Sequence, residues 1–230
     1  MGILGNMDRL SGASIIAIAM ASTTLGCGEV EVPAGTSDAA TGTPDAATGT
    51  PDAEPPCPLG AICGPDQNIA FVTSMPVFPG SLGGLSGGDD LCNSRADAAG
   101  LPGTYIAWLS DSTTDAATRI IEANASGWVR PDGRPFALSR ARLLTGQLLY
   151  PLSLDENGNE ALVNVVSGTS MEGTRTTDTC GDWTSETEQG ESGRSDFVSR
   201  AWTSFGAFPC TSPAHIYCLG VDFDSPLTLP

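Results

Sequence analysis

The stretch Ser86–Leu109 reads SGGDDLCNSRADAAGLPGTYIAWL and contains the clearest helix and strand signals of the chain. Ser86 followed by Asp89 matches the N-cap pattern, in which a serine hydroxyl accepts a backbone amide and an acidic residue stands at the third helical position. Gly100, with a proline two residues later, is typical of a helix end. Small and apolar residues recur at helical spacing between these signals: Leu91, Cys92, Ala96, Ala98 and Ala99. We therefore predict a helix, followed by a strand over 104–109.

Outward from this unit, the sequence indicates an α+β domain. A β-branched and aromatic run at 69–73 predicts the first strand, and residues 115–123 predict a short second helix. Turn sequences at 131–134 and 155–159 separate short apolar runs, a pattern typical of small strands and long loops. Further strands are predicted over 148–152, 161–166 and 216–221. We expect two short helices and a mainly antiparallel sheet.

The composition excludes several classes of function. The chain has 230 residues and a formal net charge of -17, and all 10 of its basic residues are arginine. Such an acidic chain repels phosphate backbones, so no nucleic acid is expected as a partner. His215 is the only histidine, which excludes a zinc site built from several imidazoles. No metal site is predicted.

The first 26 residues have the pattern of an export signal. The apolar run at 15–21 follows Arg9 and is far shorter than the about 20 apolar residues that a membrane-spanning helix needs. Small residues lead up to Cys27, which looks like a bacterial lipoprotein processing site. We expect residues 1–26 to be removed and Cys27 to be lipidated. The alternative is a plain signal peptide with an unacylated Cys27.

Residues 27–66 are predicted to form a disordered tether. The sequence DAATGTP begins at Asp38 and is repeated from Asp45. This mixture of small, polar and proline residues buries too little apolar surface to offset the entropy cost of ordering it. The folded domain is then expected to span 67–221, with a C-terminal tail at 222–230.

The cysteines indicate an oxidising compartment. Setting Cys27 aside leaves six of the seven cysteines, and an even number fits disulfides in an exported protein. Cys57 and Cys63 enclose a sequence with Pro and Gly and are expected to close a small loop. Six cysteines permit fifteen pairings, so the arithmetic alone leaves the other bonds open.

Several short motifs between about residues 68 and 220 point to a known family. They are FVT at 71–73, GGL at 83–85, DLC at 90–92, AAGL at 98–101, GTY at 103–105, AWLS at 107–110, CGDWTS at 180–185, WTS at 202–204 and YC at 217–218. In these motifs the chain resembles a bacterial family of exported, endostatin-like lipoproteins, whose domain is similar in fold to the C-type lectin-like domain. The resemblance implies a disulfide from the first helix to the last strand, Cys92–Cys218, and a second one in the long loop region, Cys180–Cys210.

The acidic segment 178–191 departs from the pattern of sugar-binding C-type lectins. Those carry Glu-Pro-Asn or Gln-Pro-Asp in the long loop and Trp-Asn-Asp in the next strand, and none of these tripeptides occurs here. Calcium bound through other carboxylates is one interpretation, and a solvated run of charge, which the acidic composition favours, is the other.

Candidate ligand residues come from this segment and from the aromatic residues that follow it. Most of the cluster Trp183, Trp202, Phe205 and Phe208 is expected in the core, and any member exposed beside the acidic segment would form the ligand face. The candidates are Asp182, Trp183, Glu186, Glu188 and Trp202.

The resemblance implies binding rather than catalysis, because endostatin-like surface proteins of bacteria are associated with adhesion to host matrix and serum proteins. We expect a cell-envelope lipoprotein, anchored to the outer membrane or displayed on the cell surface, that binds a protein or a glycan without a cofactor. It would meet a membrane only through its lipid anchor. One alternative is a secreted hydrolase that uses carboxylates of 178–191, and another is a calcium-stabilised sugar-binding lectin.

Overall fold

The structure is a computed structural model, and it describes residues 66–229. The predictions for the signal peptide, for lipidation of Cys27, for the tether and for the Cys57–Cys63 loop therefore lie outside the described residues. No helix in the described range is long and apolar enough to cross a membrane.

The described residues form a mixed α+β fold with two sheets. The five-stranded sheet has the order β2-β8-β1-β3-β4, and the three-stranded sheet has the order β5-β6-β7. Only the β1–β3 pair among these strands is parallel. The strands are β1 (Asn68–Val72), β2 (Tyr105–Ala107), β3 (Trp128–Val129), β4 (Pro135–Ala137), β5 (Asn164–Val166), β6 (Gln189–Arg194), β7 (Gly206–Pro209) and β8 (Tyr217–Gly220).

The helices of the described range number four, so the prediction of two was wrong. They are α1 (Gly84–Ala99), α2 (Ala116–Glu122), α3 (Arg140–Leu144) and α4 (Cys180–Trp183), with 3₁₀ turns at Pro79–Ser81 and Arg200–Trp202. The extra two, α3 and α4, are only 5 and 4 residues long. Segments this short contain too few turns to show helical periodicity in the sequence.

The N-cap of α1 is Gly83, not Ser86, so the predicted capping pattern was wrong. The Asp89 carboxylate accepts instead from the backbone N–H of Ala107 at 2.8 Å and from the Arg119 guanidinium at 2.6 Å. Asp89 thus ties α1 to β2 and α2. The predicted end of the helix is confirmed, since Gly100 is the C-cap and has a φ of 71°.

Two disulfides join distant parts of the chain. Cys92 of α1 is bonded to Cys218 of β8, and Cys180 is bonded to Cys210. These are the pairs that the family resemblance implies. Disulfide formation fits an extracellular protein.

The five-stranded sheet is buried on both faces. Ala70 and Val72 of β1 face one apolar cluster, which contains Trp108, Trp128 and Trp202. Phe71, between them, faces a second cluster, which contains Trp183 and both disulfides. Because side chains alternate along a strand, one apolar run supplies both clusters.

The segment after β8 packs on the domain, although it was predicted as a tail. The Asn68 side chain donates to the carbonyl of Phe223 at 2.7 Å and accepts from its N–H at 3.0 Å. Further on, the N–H of Leu227 donates to the carbonyl of Leu138 at 2.8 Å. The domain therefore includes residues beyond 221.

Candidate functional site

The structure places Trp183 and Trp202 in the core, which corrects their prediction as ligand residues. Both side chains are 0% exposed. The Trp183 indole N–H donates to the carbonyl of Ser110 at 2.9 Å. The Trp202 ring packs against Trp108 and Tyr217, with centroids 5.4 and 5.2 Å apart. Neither ring reaches solvent, so neither presents a surface to a ligand in this structure.

The carboxylates of the acidic segment hold it to neighbouring elements. Asp182 accepts from both the N–H and the hydroxyl of Ser112, each at 2.7 Å. Glu186 accepts from the Ser81 hydroxyl at 2.6 Å, while Glu188 is exposed. Residues 66–229 contain no cluster of three or more His, Cys, Asp or Glu side chains that could hold a metal ion. Asp182 and Glu186 thus order the segment, and the ligand roles of the three carboxylates stay predictions.

The acidic segment starts from a left-handed turn, α4. Its residues all have positive φ: 52° at Cys180, 56° at Gly181, 55° at Asp182 and 65° at Trp183. The left-handed conformation costs about 1–2 kcal/mol for each residue other than glycine. Three tertiary links offset this cost, namely the Cys180–Cys210 disulfide, the bond from Ser112 to Asp182 and the bond from Trp183 to Ser110.

Phe205 is the exposed aromatic residue that follows the acidic segment. Its side chain is 65% exposed, and its ring stacks on that of Phe197, which is 39% exposed, with centroids 6.3 Å apart. The N–H of Phe205 donates to the carbonyl of Ser192 in β6, so Phe205 lies beside the strand in which the segment 178–191 ends. The sequence analysis placed Phe205 in an aromatic cluster whose exposed members would form a ligand face but did not include it among the candidate residues, and it missed Phe197.

Phe205 forms one wall of an open cleft of about 410 Å³, which we name the aromatic cleft. Its other lining residues are mostly polar and come from β6, from the segment between β6 and β7, and from the first residue of β7. The lining residues are Glu191, Ser199, Arg200, Ala201, Ser204, Phe205 and Gly206. The cleft thus combines an aromatic surface, hydroxyl groups, one carboxylate and one guanidinium.

Arg200 is the cation of the aromatic cleft. It is exposed, and no carboxylate of residues 66–229 lies within 4.0 Å of its guanidinium. The positive charge of Arg200 acts on the Glu172 carboxylate at longer range. The pKa of the Glu172 carboxyl is lowered by its own backbone N–H, by a hydrogen bond from Ser170 and by attraction to Arg200. The sequence showed no signal for Arg200, because an isolated arginine in a loop has no periodic or spacing pattern.

Buried hydrogen bonds hold Thr203, which directly precedes the cleft residues Ser204 and Phe205. The Ser167 hydroxyl donates to the carbonyl of Thr203 at 2.7 Å, and the Trp108 indole donates to the Thr203 hydroxyl at 2.8 Å. Gly193 of β6 lies so close to Trp202 that a Cβ atom would come within 2.0 Å of its carbonyl oxygen. The cleft residues are therefore carried on a well-packed scaffold, which limits the entropy lost on binding.

A second cleft of about 500 Å³ adjoins Ser112, the partner of Asp182, and is lined by Ser112, Arg175, Thr176, Thr177 and Thr179. Its guanidinium is already paired, since Arg175 lies 3.1 Å from Asp115. The lining contains no aromatic side chain. Aromatic anchors within a polar rim characterise recognition surfaces, so the aromatic cleft is the better candidate site.

Comparison with known proteins adds no functional assignment, because the chain matches no protein-family model and no curated protein. The functional argument therefore depends on the residues themselves.

Proposed function

We propose that this chain is an exported, lipid-anchored protein of the bacterial cell envelope that displays a non-enzymatic binding module. The module has a C-type lectin-like, endostatin-like architecture and binds a protein or a glycan at the aromatic cleft. The bond from α1 to the last strand, Cys92–Cys218, and the bond in the loop region, Cys180–Cys210, support the lectin-like interpretation. Both also suit an oxidising compartment.

The exposure of Phe205 is the observation that carries this proposal. The four tryptophans of the chain are all 0–1% exposed, whereas Phe205 is 65% exposed at the rim of a cleft. The Phe205 ring contacts Phe197 but leaves most of its surface in water, so its burial contributes little to the stability of the folded domain. It does have the property of a binding anchor, since a partner that covers it gains the free energy of its burial.

The test is a binding screen of the full chain against a glycan array and against soluble matrix and serum proteins. We expect the parent to bind at least one of these, and Phe205→Ala to weaken that binding about tenfold or more. Phe78→Ala is the matched control, because Phe78 is 52% exposed and does not line the cleft.

Two results would contradict the proposal. The first is equal binding by the parent and Phe205→Ala, or an equal loss in Phe78→Ala. The second is glycosidase or esterase activity in the parent that disappears in Asp182→Ala and Glu186→Ala, which would favour the hydrolase alternative.

A further inference from the structure

The chemistry of the aromatic cleft narrows its ligand class. A sugar ring has one apolar C–H face and a rim of hydroxyl groups. The exposed ring of Phe205, which lines the cleft and stacks on Phe197, offers an apolar surface, while Ser199, Ser204 and Glu191 add polar groups to the same lining. A volume of about 410 Å³ falls within the range of small-molecule pockets.

Arg200 is a cation in the cleft, and a neutral sugar would not supply an anionic partner for it. Five arginines of the described range have a carboxylate within 4.0 Å, but Arg200 is not among them. The carboxylate of Glu172, which feels its charge, already accepts a hydrogen bond from the Ser170 hydroxyl at 2.9 Å. Arg200 lines the cleft and is exposed, and the fork geometry of a guanidinium matches a carboxylate bidentately.

We infer that the aromatic cleft binds a sugar that carries a carboxylate, such as a sialic or uronic acid at the end of a glycan. This inference rests on the proposed function of the cleft. Phe205 stacks on the apolar face of the ring, Arg200 binds the carboxylate, and Glu191 accepts from ring hydroxyls. Phe205 and Arg200 together indicate this ligand class. A neutral glycan would leave Arg200 without a partner, and a simple inorganic anion would leave Phe205 uncovered.

The experiment compares acidic sugars with their neutral counterparts on the full chain. The probes are 3′-sialyllactose against lactose, and a disaccharide ending in glucuronic acid against the same disaccharide ending in glucose. Affinities are measured by ligand-observed NMR and calorimetry for the parent, Phe205→Ala, Arg200→Gln, Arg200→Lys and Arg142→Gln. Arg142 is the control, since it is exposed on α3 and does not line the cleft.

We expect the parent to bind at least one acidic probe about tenfold or more tightly than its neutral counterpart, as a charge-assisted bidentate pair implies. Arg200→Gln should weaken binding of the acidic probe much more than binding of the neutral one, and so remove this preference. Arg200→Lys should keep part of it, because lysine keeps the charge but lacks the fork. Phe205→Ala should weaken the binding of both probes, whereas Arg142→Gln should weaken the binding of neither. Circular dichroism and melting temperature check that each variant is folded.

The outcomes separate this inference from the proposal on which it rests. Three results would overturn the inference. They are equal affinity for the acidic and neutral probes, no binding of either probe, and a preference for the acidic probe that survives Arg200→Gln. If a neutral glycan or a protein then still binds in a Phe205-dependent manner, the binding-module proposal stands without it. If Phe205→Ala has no effect on any ligand, both are overturned.

Discussion

Removal of the Cys92–Cys218 disulfide is expected to cost more stability than removal of Cys180–Cys210. The first bond joins residues 126 apart in the chain and the second joins residues 30 apart. A crosslink lowers the entropy of the unfolded chain more as the loop lengthens, which gives about 4.9 kcal/mol for the first bond and about 3.6 kcal/mol for the second. All four cysteines are 0% exposed, so the loss of side-chain packing is similar for both pairs.

The left-handed turn increases this difference. Cys180 has a φ of 52°, and loss of its crosslink removes one of the three links that hold the turn, so the turn can relax in part. Relaxation recovers part of the about 1–2 kcal/mol that each such residue costs. The net loss for the second bond is therefore expected to lie below the loop-entropy value, and the two losses to differ by at least about 1.3 kcal/mol.

The assay is urea unfolding, followed by tryptophan fluorescence, of Cys92→Ala/Cys218→Ala and Cys180→Ala/Cys210→Ala. Both variants and their parent carry Cys27→Ser, so that all are obtained without a lipid. Small domains are stable by about 5–15 kcal/mol, so a loss of about 4.9 kcal/mol removes a third or more of the stability of the first variant. An equal or larger loss in the second variant would refute the reasoning from loop length.

Three further predictions follow from other residues. Cys27→Ser should move the protein from the membrane fraction to the soluble fraction of the producing cell, and a parent that is already soluble would contradict lipidation. Gly193→Ala should destabilise the domain by about 2 kcal/mol or more in urea unfolding, because its Cβ would lie 2.0 Å from the Trp202 carbonyl oxygen; an unchanged midpoint would show that β6 shifts freely. Burial alone would raise the pKa of Asp132, but hydrogen bonds from Arg130 and Arg134 hold it below the ordinary value. This carboxyl therefore contributes stability above its unfolded pKa of about 3.9 that is lost as the pH falls through the folded pKa. Asp132→Asn should therefore reduce the loss of stability between about pH 5 and pH 2. An unchanged pH dependence of the free energy of unfolding would contradict the assignment.

The sequence predicted those elements whose signals are local. The end of α1 at Gly100 was predicted because a glycine before a proline acts within a single turn. Its start was misplaced, since Asp89 matches a capping residue in sequence but its carboxylate binds Arg119, which is distant in sequence. The turn at 131–134 does lie between β3 and β4, which pair antiparallel.

Features held by tertiary contacts were not predictable in this way. The left-handed conformation of Cys180 and Asp182 opposes their local preference, so no propensity indicates it. The sequence predicted that most of the aromatic cluster is buried, but it could not distinguish the exposed Phe205 from the buried Trp183, because both lie among small and polar residues. Arg200 is a candidate binding residue only because the fold places it in the same cleft as Phe205. The candidate site is thus a product of the fold rather than of a motif.

The position of β1 has a mechanical consequence for a protein pulled from its N-terminal side. Chain tension from that side enters the described domain at the first strand, which is flanked by β8 on one edge and β3 on the other. Such a strand cannot be peeled from a sheet border, and both ladders must be sheared together. β8 is likewise flanked, by β2 and β1, so tension from the chain beyond β8 also meets two ladders, and single-molecule stretching should show one cooperative rupture rather than stepwise peeling of strands from a sheet border.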